Sequence, residues 1–264
     1  MIRKLRKSMR YWSARFRPQS HPPLFWHIGT PNFGDDINPS FFEALAGVRL
    51  RFAVNRAEPH FLGMGSILDR ATDQSLVLGS GLLQPGRQSA PHKVISLRGD
   101  LTRQALKLPD DIPLGDPMVL VNLLVSPQGG DDIGFIPHVR SLPKLKRAIP
   151  KGIRLIDVNE EPWKVVRAIG QCRAILSQSL HGLIVADAFE IPNIWITPGD
   201  KMQGGRFKFD DYFTTLDAPK HAHSLSVELL RAPPLHEAGV GRYRGNKSEY
   251  AAILRAALKE GLGT

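Results

Sequence analysis

The residues best suited to chemistry lie in the segment Ser177–Gly182, where a histidine and a glycine follow a short apolar run. Ala174–Leu176 predict a buried strand, and the pattern from Leu180 onward predicts a helix. His181 is therefore expected at the carboxyl end of a strand, beside the first turn of a helix. Unpaired N–H groups and the helix dipole attract anions at such a position. A histidine there can also transfer protons near neutral pH.

Two neighbouring acids lie in an earlier loop, Gly29–Asn38, which is also predicted to connect a strand to a helix. Asp35 or Asp36 could accept a proton or bind sugar hydroxyls, because the small residues nearby allow a ligand to approach the backbone. Asp36 and Asn38 could instead serve the turn and cap the following helix. Paired acids without further clustered ligands are common at helix starts, so the sequence predicts no metal site.

Two glycine-containing loops and one arginine follow other apolar strands. The loops Gly63–Ser66 and Gly79–Gly81 could direct backbone N–H groups at an anionic ligand, and Gly81 is a candidate for this role. Neither loop matches a dinucleotide-binding fingerprint. Arg98 could bind a carboxylate or a phosphate through two parallel hydrogen bonds, and the alternative for it is a surface ion pair.

A second histidine, His138, directly follows the predicted strand segment Gly134–Pro137. It lies in the same half of the chain as His181, and it could be catalytic, phosphate-binding or structural. The basic residues from Lys144 to Arg154 could favour phosphates or a membrane surface, although most are expected to be solvated helix charges. Asp187, two turns into the predicted helix, is expected to be structural.

Strands and helices alternate along the chain, which predicts mostly parallel sheets with right-handed crossovers. The predicted strands are Leu24–Ile28, Leu76–Leu78, Lys93–Leu97, Gly134–Pro137, Ile153–Asp157, Ala174–Ser177 and Asn193–Thr197. Helices are predicted after an Asn38 N-cap, near Asp100, at Asp116–Pro117, and over Glu160–Gln171, Leu180–Phe189 and Asn246–Leu262.

A Gly-rich segment, Ser126–Asp132, separates two such alternating units. We therefore predict an α/β fold of two Rossmann-like lobes that face a cleft. The predicted organisation is an N-terminal segment of residues 1–20, a first lobe of residues 21–127 and a second lobe of residues 128–264.

The composition is that of an ordinary globular protein, with 42% hydrophobic and 23% charged residues among 264. A single cysteine, Cys172, provides neither an intramolecular disulfide nor a cysteine-based metal site, and it fits a reducing compartment. No apolar run is long enough to cross a bilayer, and no signal-peptide core follows the basic start.

The net charge of +10 is concentrated at the N-terminus. Residues 1–17 contain seven basic side chains and no acid, which leaves +3 for the rest of the chain. Apolar residues recur there at helical spacing: Ile2, Leu5, Met9, Trp12 and Phe16. This pattern favours a basic amphipathic helix on an anionic membrane surface. A solvated tail and a nucleic-acid arm are the alternatives, but no recognised nucleic-acid motif accompanies the charge, so we expect no nucleic-acid partner.

Four segments together resemble the polysaccharide pyruvyl transferase family, especially the bacterial exopolysaccharide ketal-pyruvate transferases. They are Asn32–Pro39 (NFGDDINP), Leu97–Arg103 (LRGDLTR), Leu114–Pro117 (LGDP) and Ser177–Gly182 (SQSLHG). The resemblance spans about residues 24–200. It implies a glycosyltransferase-B-like arrangement of the two lobes, with phosphoenolpyruvate as the donor substrate in the cleft and no cofactor.

The resemblance also implies roles for the candidate residues. His181 is expected to be the general acid or base, with Asp35 or Asp36 at the acceptor sugar and His138 in reserve. The donor site is expected to include Arg98 and the first turn of the predicted helix, with Ser179, Leu180 and Gly182. Family members with a fuller signature have an arginine where this chain has Ser179, so other groups must bind the phosphate here.

The implied acceptor is a lipid-linked oligosaccharide ending in a hexose with free 4- and 6-hydroxyls, on the inner face of the cytoplasmic membrane. The N-terminal helix would hold a cytoplasmic, peripheral enzyme beside this substrate. The strongest alternative is a nucleotide-sugar-dependent glycosyltransferase, because one fold supports several activities. A non-catalytic partner in exopolysaccharide assembly is another.

Overall fold

The computed structural model describes residues 16, 18, 20–86, 90–145, 149–197 and 204–262. The predicted N-terminal amphipathic segment lies almost entirely outside these residues, so its role at a membrane surface stays a prediction. Across the described ranges, no helix combines the length and the apolar character needed to cross a bilayer.

The first sheet consists of five parallel strands in the order β2-β1-β3-β4-β5. The strands are β1 (Pro23–Phe25), β2 (Arg51–Phe52), β3 (His60–Leu62), β4 (Ser75–Ser80) and β5 (Lys93–Leu97). Strand β4 is buried along its whole length, as expected for a strand that has covered faces on both sides.

The second sheet is also parallel, in the order β10-β9-β8-β6-β7. Its strands are β6 (Asp132–Ile136), β7 (Ile153–Leu155), β8 (Cys172–Ser177), β9 (Asn193–Thr197) and β10 (Ala222–Ser224). Counted within each sheet, both have the strand order 2-1-3-4-5. The winding direction reverses between the first and third strands, and ligands of doubly wound sheets bind at the carboxyl ends of those two strands.

Helices connect and flank the strands. They are α1 (Phe33–Asp36), α2 (Asn38–Ala46), α3 (Asp100–Ala105), α4 (Leu142–Leu145), α5 (Pro162–Ile169), α6 (Leu180–Ala188), α7 (Phe207–Phe213), α8 (Val227–Arg231) and α9 (Lys247–Glu260). Short 3-10 helices occupy Leu68–Arg70, Pro117–Leu123 and Leu235–Glu237.

The prediction of an α/β fold is confirmed, and β9 has the predicted bounds. Asn38 as an N-cap was wrong: Ile37 holds that position, and the Asn38 amide instead donates to the carbonyls of Asp35 (3.0 Å) and Met64 (3.2 Å). Asp116 does cap the following segment, but Pro117–Leu123 forms a 3-10 helix. The glycosyltransferase-B-like arrangement stays a prediction.

The two sheets share one apolar core, which includes Phe33 from the first half of the chain and Ile136 and Leu183 from the second. The last helix, α9, packs against α2 rather than against the second sheet. Its Tyr250 hydroxyl donates to the Gly115 carbonyl (2.5 Å). The C-terminal helix α9 therefore packs on the first sheet, although it follows the second sheet in the chain, and this links the two halves of the molecule.

Candidate active site

A cavity of about 350 Å³ lies between the carboxyl ends of the two sheets. The loops after β1, β3, β6 and β8 meet there, which are the four positions that the strand order marks for ligand binding. Its lining residues are His27, Asn32, Asp35, Ser66, Ile67, Asp69, Arg70, Leu83, His138, Val139, Val158, Ser179, Leu180, His181 and Lys208. A larger cavity of about 440 Å³ lies beside Tyr243 and Tyr250, but no histidine or lysine and no predicted site residue lines it. The smaller cavity is therefore the candidate active site.

His181 is the second residue of α6 and is almost completely buried, with 8% of its surface exposed. Its ring lies edge-on to Phe33, with the ring centres 6.3 Å apart, and its Nδ1 edge rests on Gly34, where any β-carbon would collide with it. Burial, with smaller contributions from the positive charges of Lys208 and Arg98, lowers the pKa of His181 to about 3. The imidazole is therefore neutral at pH 7 and can accept a proton.

Asp116 faces the same histidine from the first half of the chain. Its Oδ2 lies 3.7 Å from Nε2 of His181, and the carboxyl group is completely buried. Burial raises the pKa of Asp116 to about 6, against the lowering effects of the Met118 N–H and of Arg98. The sequence predicted only a helix start here, so this partner of His181 was missed, although it belongs to the Leu114–Pro117 motif.

His138 lines the cavity opposite the first sheet, as the sequence predicted for its place after β6. Its main-chain N–H donates to the Gln178 side chain (3.2 Å), and Gln178 also donates to the Thr197 carbonyl, so this amide ties three strand ends together. Nδ1 of His138 accepts from the Arg140 N–H (3.3 Å). Burial, Lys208 and Arg140 lower the pKa of His138 to about 4. The neutral ring therefore carries its proton on Nε2, as a hydrogen-bond donor.

Lys208, on α7, supplies a cation to the cavity that sequence reasoning did not single out. Its Nζ lies 5.2 Å from the centre of the Phe209 ring, and among the described residues no carboxylate forms an ion pair with it. Burial lowers the pKa of Lys208 to about 8, assisted by Arg98 and opposed by Asp35. It remains mostly charged at pH 7, and a half-buried cation at the cavity, with no ion-pair partner among the described residues, favours an anionic ligand.

The structure separates the two acids of the Gly29–Asn38 loop. Asp35 lines the cavity and accepts from the Asn32 side chain (2.9 Å). Asp36 accepts from the Asn32 main-chain N–H (3.0 Å) and is not part of the lining, which is the turn role that the sequence left open for it. Of the pair, only Asp35 is placed to meet a ligand.

The first turn of α6 opens onto the cavity through Ser179 and Leu180. Ser179 is the N-cap, and its Oγ accepts from the Gly182 N–H (3.4 Å), so that amide is used within the turn. A β-carbon at Gly182 would meet Oγ of Ser177 and the Ile136 side chain, so the glycine serves packing rather than ligand contact. The N–H groups of Leu180 and His181 have no carbonyl partner within the helix and remain suited to an anion.

Arg98 does not reach the cavity, which corrects its predicted donor contact. Its guanidinium is completely buried and donates to Asp211 (2.9 Å), Ser66 (2.7 Å) and the Leu82 carbonyl (2.6 Å). Gly81 does not bind an anion through its N–H either, because that group donates to the Gly65 carbonyl (2.9 Å). The missing β-carbon of Gly81 instead makes room for the guanidinium.

The Arg98–Asp211 pair therefore positions the site rather than binding its ligand. Asp211 belongs to α7, so the pair fixes this helix on the first sheet and holds Lys208, one turn earlier, at the cavity. Ser66, which accepts from Arg98, also lines the cavity.

Replacing Arg98 by Met should lower the free energy of unfolding by about 3–5 kcal/mol, because it leaves a buried, unpaired Asp211 carboxylate. Guanidinium unfolding followed by circular dichroism measures this. Arg167→Met is the matched control, since Arg167 and Glu161 form an exposed pair at 3.6 Å, and it should change the free energy of unfolding by about 1 kcal/mol or less. Equal losses in the two variants would contradict the positioning role.

Comparison with known proteins shows which family part of this chain resembles. Residues 88–200 match the family model described as Polysaccharide pyruvyl transferase. This range includes Arg98, Asp116, His138 and His181. Residues 88–200 therefore resemble the polysaccharide pyruvyl transferase family.

Among individual proteins, the chain is 32% identical over 211 residues to the Succinoglycan biosynthesis protein ExoV of Rhizobium meliloti (strain 1021). That alignment covers 74% of this chain and 64% of the rhizobial protein. It is 25% identical over 226 residues to the Uncharacterized protein L143 of Acanthamoeba polyphaga mimivirus, which covers 79% of each. A solved structure of an uncharacterized Klebsiella pneumoniae protein covers 86% of this chain with a TM-score of 0.45 and 10% identity.

Proposed function

We propose that this protein transfers pyruvate from phosphoenolpyruvate to a terminal hexose of a lipid-linked exopolysaccharide repeat unit, forming a pyruvate ketal. The observation that carries the proposal is the composition of the cavity. A lysine without an ion-pair partner among the described residues, a neutral histidine donor and a helix N-terminus surround a second histidine that can transfer protons. The family and the succinoglycan biosynthesis relative support the polysaccharide side of the proposal.

The donor carries a carboxylate and a phosphate, and the cavity offers cations and N–H donors for both. We assign Lys208, Nε2–H of His138 and the amides of Leu180 and His181 to these anionic groups. In this proposal the histidine and lysine take over phosphate binding in place of the arginine that Ser179 replaces. A cavity of about 350 Å³ is within the usual range for a small-molecule site.

The chemistry assigned to His181 begins with its neutral ring. The imidazole takes the proton of one acceptor hydroxyl and passes it to C3 of the donor, which bonds it through the electrons of the carbon–carbon double bond. C2 thereby gains oxocarbenium character and the hydroxyl oxygen bonds to it, so the hydroxyl has added across the double bond. The bond between C2 and the phosphate oxygen then breaks, phosphate leaves, and the second hydroxyl bonds to C2 as its proton passes to Asp35. A positioned acid and base is needed because neither the alcohol nor C3 exchanges protons fast enough alone.

The acceptor is assigned to the side of the cavity formed by the first lobe. Asp35 lies there and could accept a hydrogen bond from a sugar hydroxyl or take the proton of the second hydroxyl. A hexose with free 4- and 6-hydroxyls places two nucleophiles in reach of one carbon, which a cyclic ketal requires. We further propose that the lobes are arranged as in glycosyltransferase-B enzymes and that the basic N-terminal segment holds the protein at the inner membrane face.

Ligand-dependent thermal stability distinguishes this proposal from its strongest alternative. Phosphoenolpyruvate should raise the midpoint of unfolding, because a ligand that binds only the folded state stabilises it. A panel of nucleotide sugars at the same concentrations should have no effect. Stabilisation by a nucleotide sugar but not by phosphoenolpyruvate would instead assign the chain to glycosyl transfer.

A further inference from the structure

Asp116 and His181 each contain a buried polar atom without a hydrogen-bond partner among the described residues. The two atoms are Oδ2 of the carboxyl group and Nε2 of the ring, and they face each other across 3.7 Å. A buried polar atom left unpaired costs about 1–3 kcal/mol, so a proton shared between these two atoms satisfies both once the pair closes to hydrogen-bond distance. This contact is separate from the cavity surface, since Asp116 is not part of the lining.

We propose that Asp116 is the positioning residue of His181: its Oδ2 accepts the Nε2 proton, which leaves the Nδ1 lone pair as the reactive one. The nitrogen assignment follows from the contacts, because Nε2 is enclosed on the Asp116 side while Nδ1 lies on the Gly34 side. Gly34 precedes the cavity residue Asp35 directly in the chain. The effect of Asp116 on catalysis rests on the proposed function. The assignment of the His181 ring proton to Nε2 does not.

The carboxyl group is held firmly enough to set the orientation of the ring. Its Oδ1 accepts from the Met118 N–H (3.0 Å), which fixes the plane of the carboxyl group at the start of the 3-10 helix. The preceding carbonyls are also fixed, since hydroxyl groups of Tyr243 and Tyr250 donate to Leu114 and Gly115. Tyr243 and Tyr250 therefore hold the backbone of the Leu114–Pro117 motif in place.

The positioned carboxylate also has an electrostatic role in the proposed reaction. When the acceptor hydroxyl gives its proton to Nδ1, the ring carries a positive charge close to Lys208, which opposes that charge. The Asp116 carboxylate offsets this repulsion and that of Arg98, whose charge is only partly compensated by its ion pair with Asp211. The proton then passes from Nδ1 to C3 of the donor, and the ring returns to its starting tautomer.

Asp116→Asn tests the inference with little change in shape. The Asn oxygen still accepts from Met118, but its NH₂ group now faces Nε2, which must become an acceptor, so the ring proton moves to Nδ1. Nitrogen-15 NMR of the histidine-labelled full chain reports both ring nitrogens, with the His181 signals assigned by their loss in His181→Gln. We expect a protonated Nε2 in the wild type and a protonated Nδ1 in Asp116→Asn, with His138 unchanged as the internal control.

A wild-type His181 that carries its proton on Nδ1 would overturn the inference. This result comes from the wild-type protein alone, so it does not depend on whether Asp116→Asn folds. An unchanged tautomer in a folded Asp116→Asn would overturn it as well. In the transfer reaction, Asp116→Asn should lower kcat about 10- to 100-fold with little change in the KM for phosphoenolpyruvate. If the wild type has the expected tautomer but transfers no pyruvate, the proposed function fails and the positioning of His181 stands.

Discussion

Replacing His181 by Gln should lower the rate of pyruvyl transfer by about 10²–10⁴-fold, while the affinity for phosphoenolpyruvate changes little. Glutamine fills much of the same volume and can hydrogen-bond to Asp116, but it cannot take a proton from a hydroxyl and return it to carbon. Turnover is measured as phosphate release that depends on acceptor, and donor affinity by isothermal titration calorimetry.

His60→Gln is the matched control for this substitution. His60 is also completely buried, and its Nε2 pairs with Ser75 Oγ at 2.8 Å, but it does not line the cavity. Its pKa is likewise lowered by burial. This variant should therefore lose stability without a comparable loss in rate per folded molecule. Equal rates for His181→Gln and the wild type would remove His181 from the reaction.

Replacing Lys208 by Gln should weaken phosphoenolpyruvate binding by about 10- to 100-fold, because a hydrogen bond to a charged group contributes about 1.5–3 kcal/mol. The effect should be larger than for an exposed lysine, since burial reduces the screening of its charge. Lys164→Gln is the control: Lys164 is exposed, pairs with Glu160 at 3.1 Å and lies on α5, outside the cavity. It should leave the affinity unchanged, and equal affinities for wild type and Lys208→Gln would exclude Lys208 from the donor site.

The same lysine should make donor binding depend on pH. Because its pKa is lowered to about 8, Lys208 is charged at pH 7 and loses its proton as the pH rises to 9. The donor phosphate has a second pKa of about 6, so from pH 7 to pH 9 it only gains a little negative charge, which cannot weaken binding to a cation. A fall in affinity over this range is therefore caused by the protein. Affinity in the wild type should therefore fall from pH 7 to pH 9. It should stay level in Lys208→Gln, and a parallel fall in both would assign the titration to another group.

Strand order explains why residues predicted from separate segments of the chain line one cavity. Each predicted residue followed a strand, and parallel strands end at one edge of a sheet, so His138 and His181 meet without any prediction of their distance. Asp35 reaches the same cavity from the first sheet by the same logic. The repeated 2-1-3-4-5 order then marks four of the loops that line the cavity, those after β1, β3, β6 and β8.

Contacts between distant parts of the chain explain what the sequence did not predict. Arg98 has the expected place after β5. Its guanidinium is nevertheless buried, because it pairs with Asp211, which lies 113 positions later in the chain. Lys208 reaches the cavity because that same pair fixes α7, and no motif surrounds it. Asp116 was visible only as a helix cap, since its second oxygen acquires a role when α6 places His181 beside it.

The most direct test of the central claim is mass spectrometry of hexosides incubated with this protein and phosphoenolpyruvate. Aryl mannosides, galactosides and glucosides with free 4- and 6-hydroxyls serve as acceptors. The proposed function predicts a product heavier by one pyruvate less one water and equal release of phosphate, with both lowered at least about 100-fold in His181→Gln. Glycosylated hexoside formed from a nucleotide sugar, with no phosphate released from phosphoenolpyruvate, would contradict it.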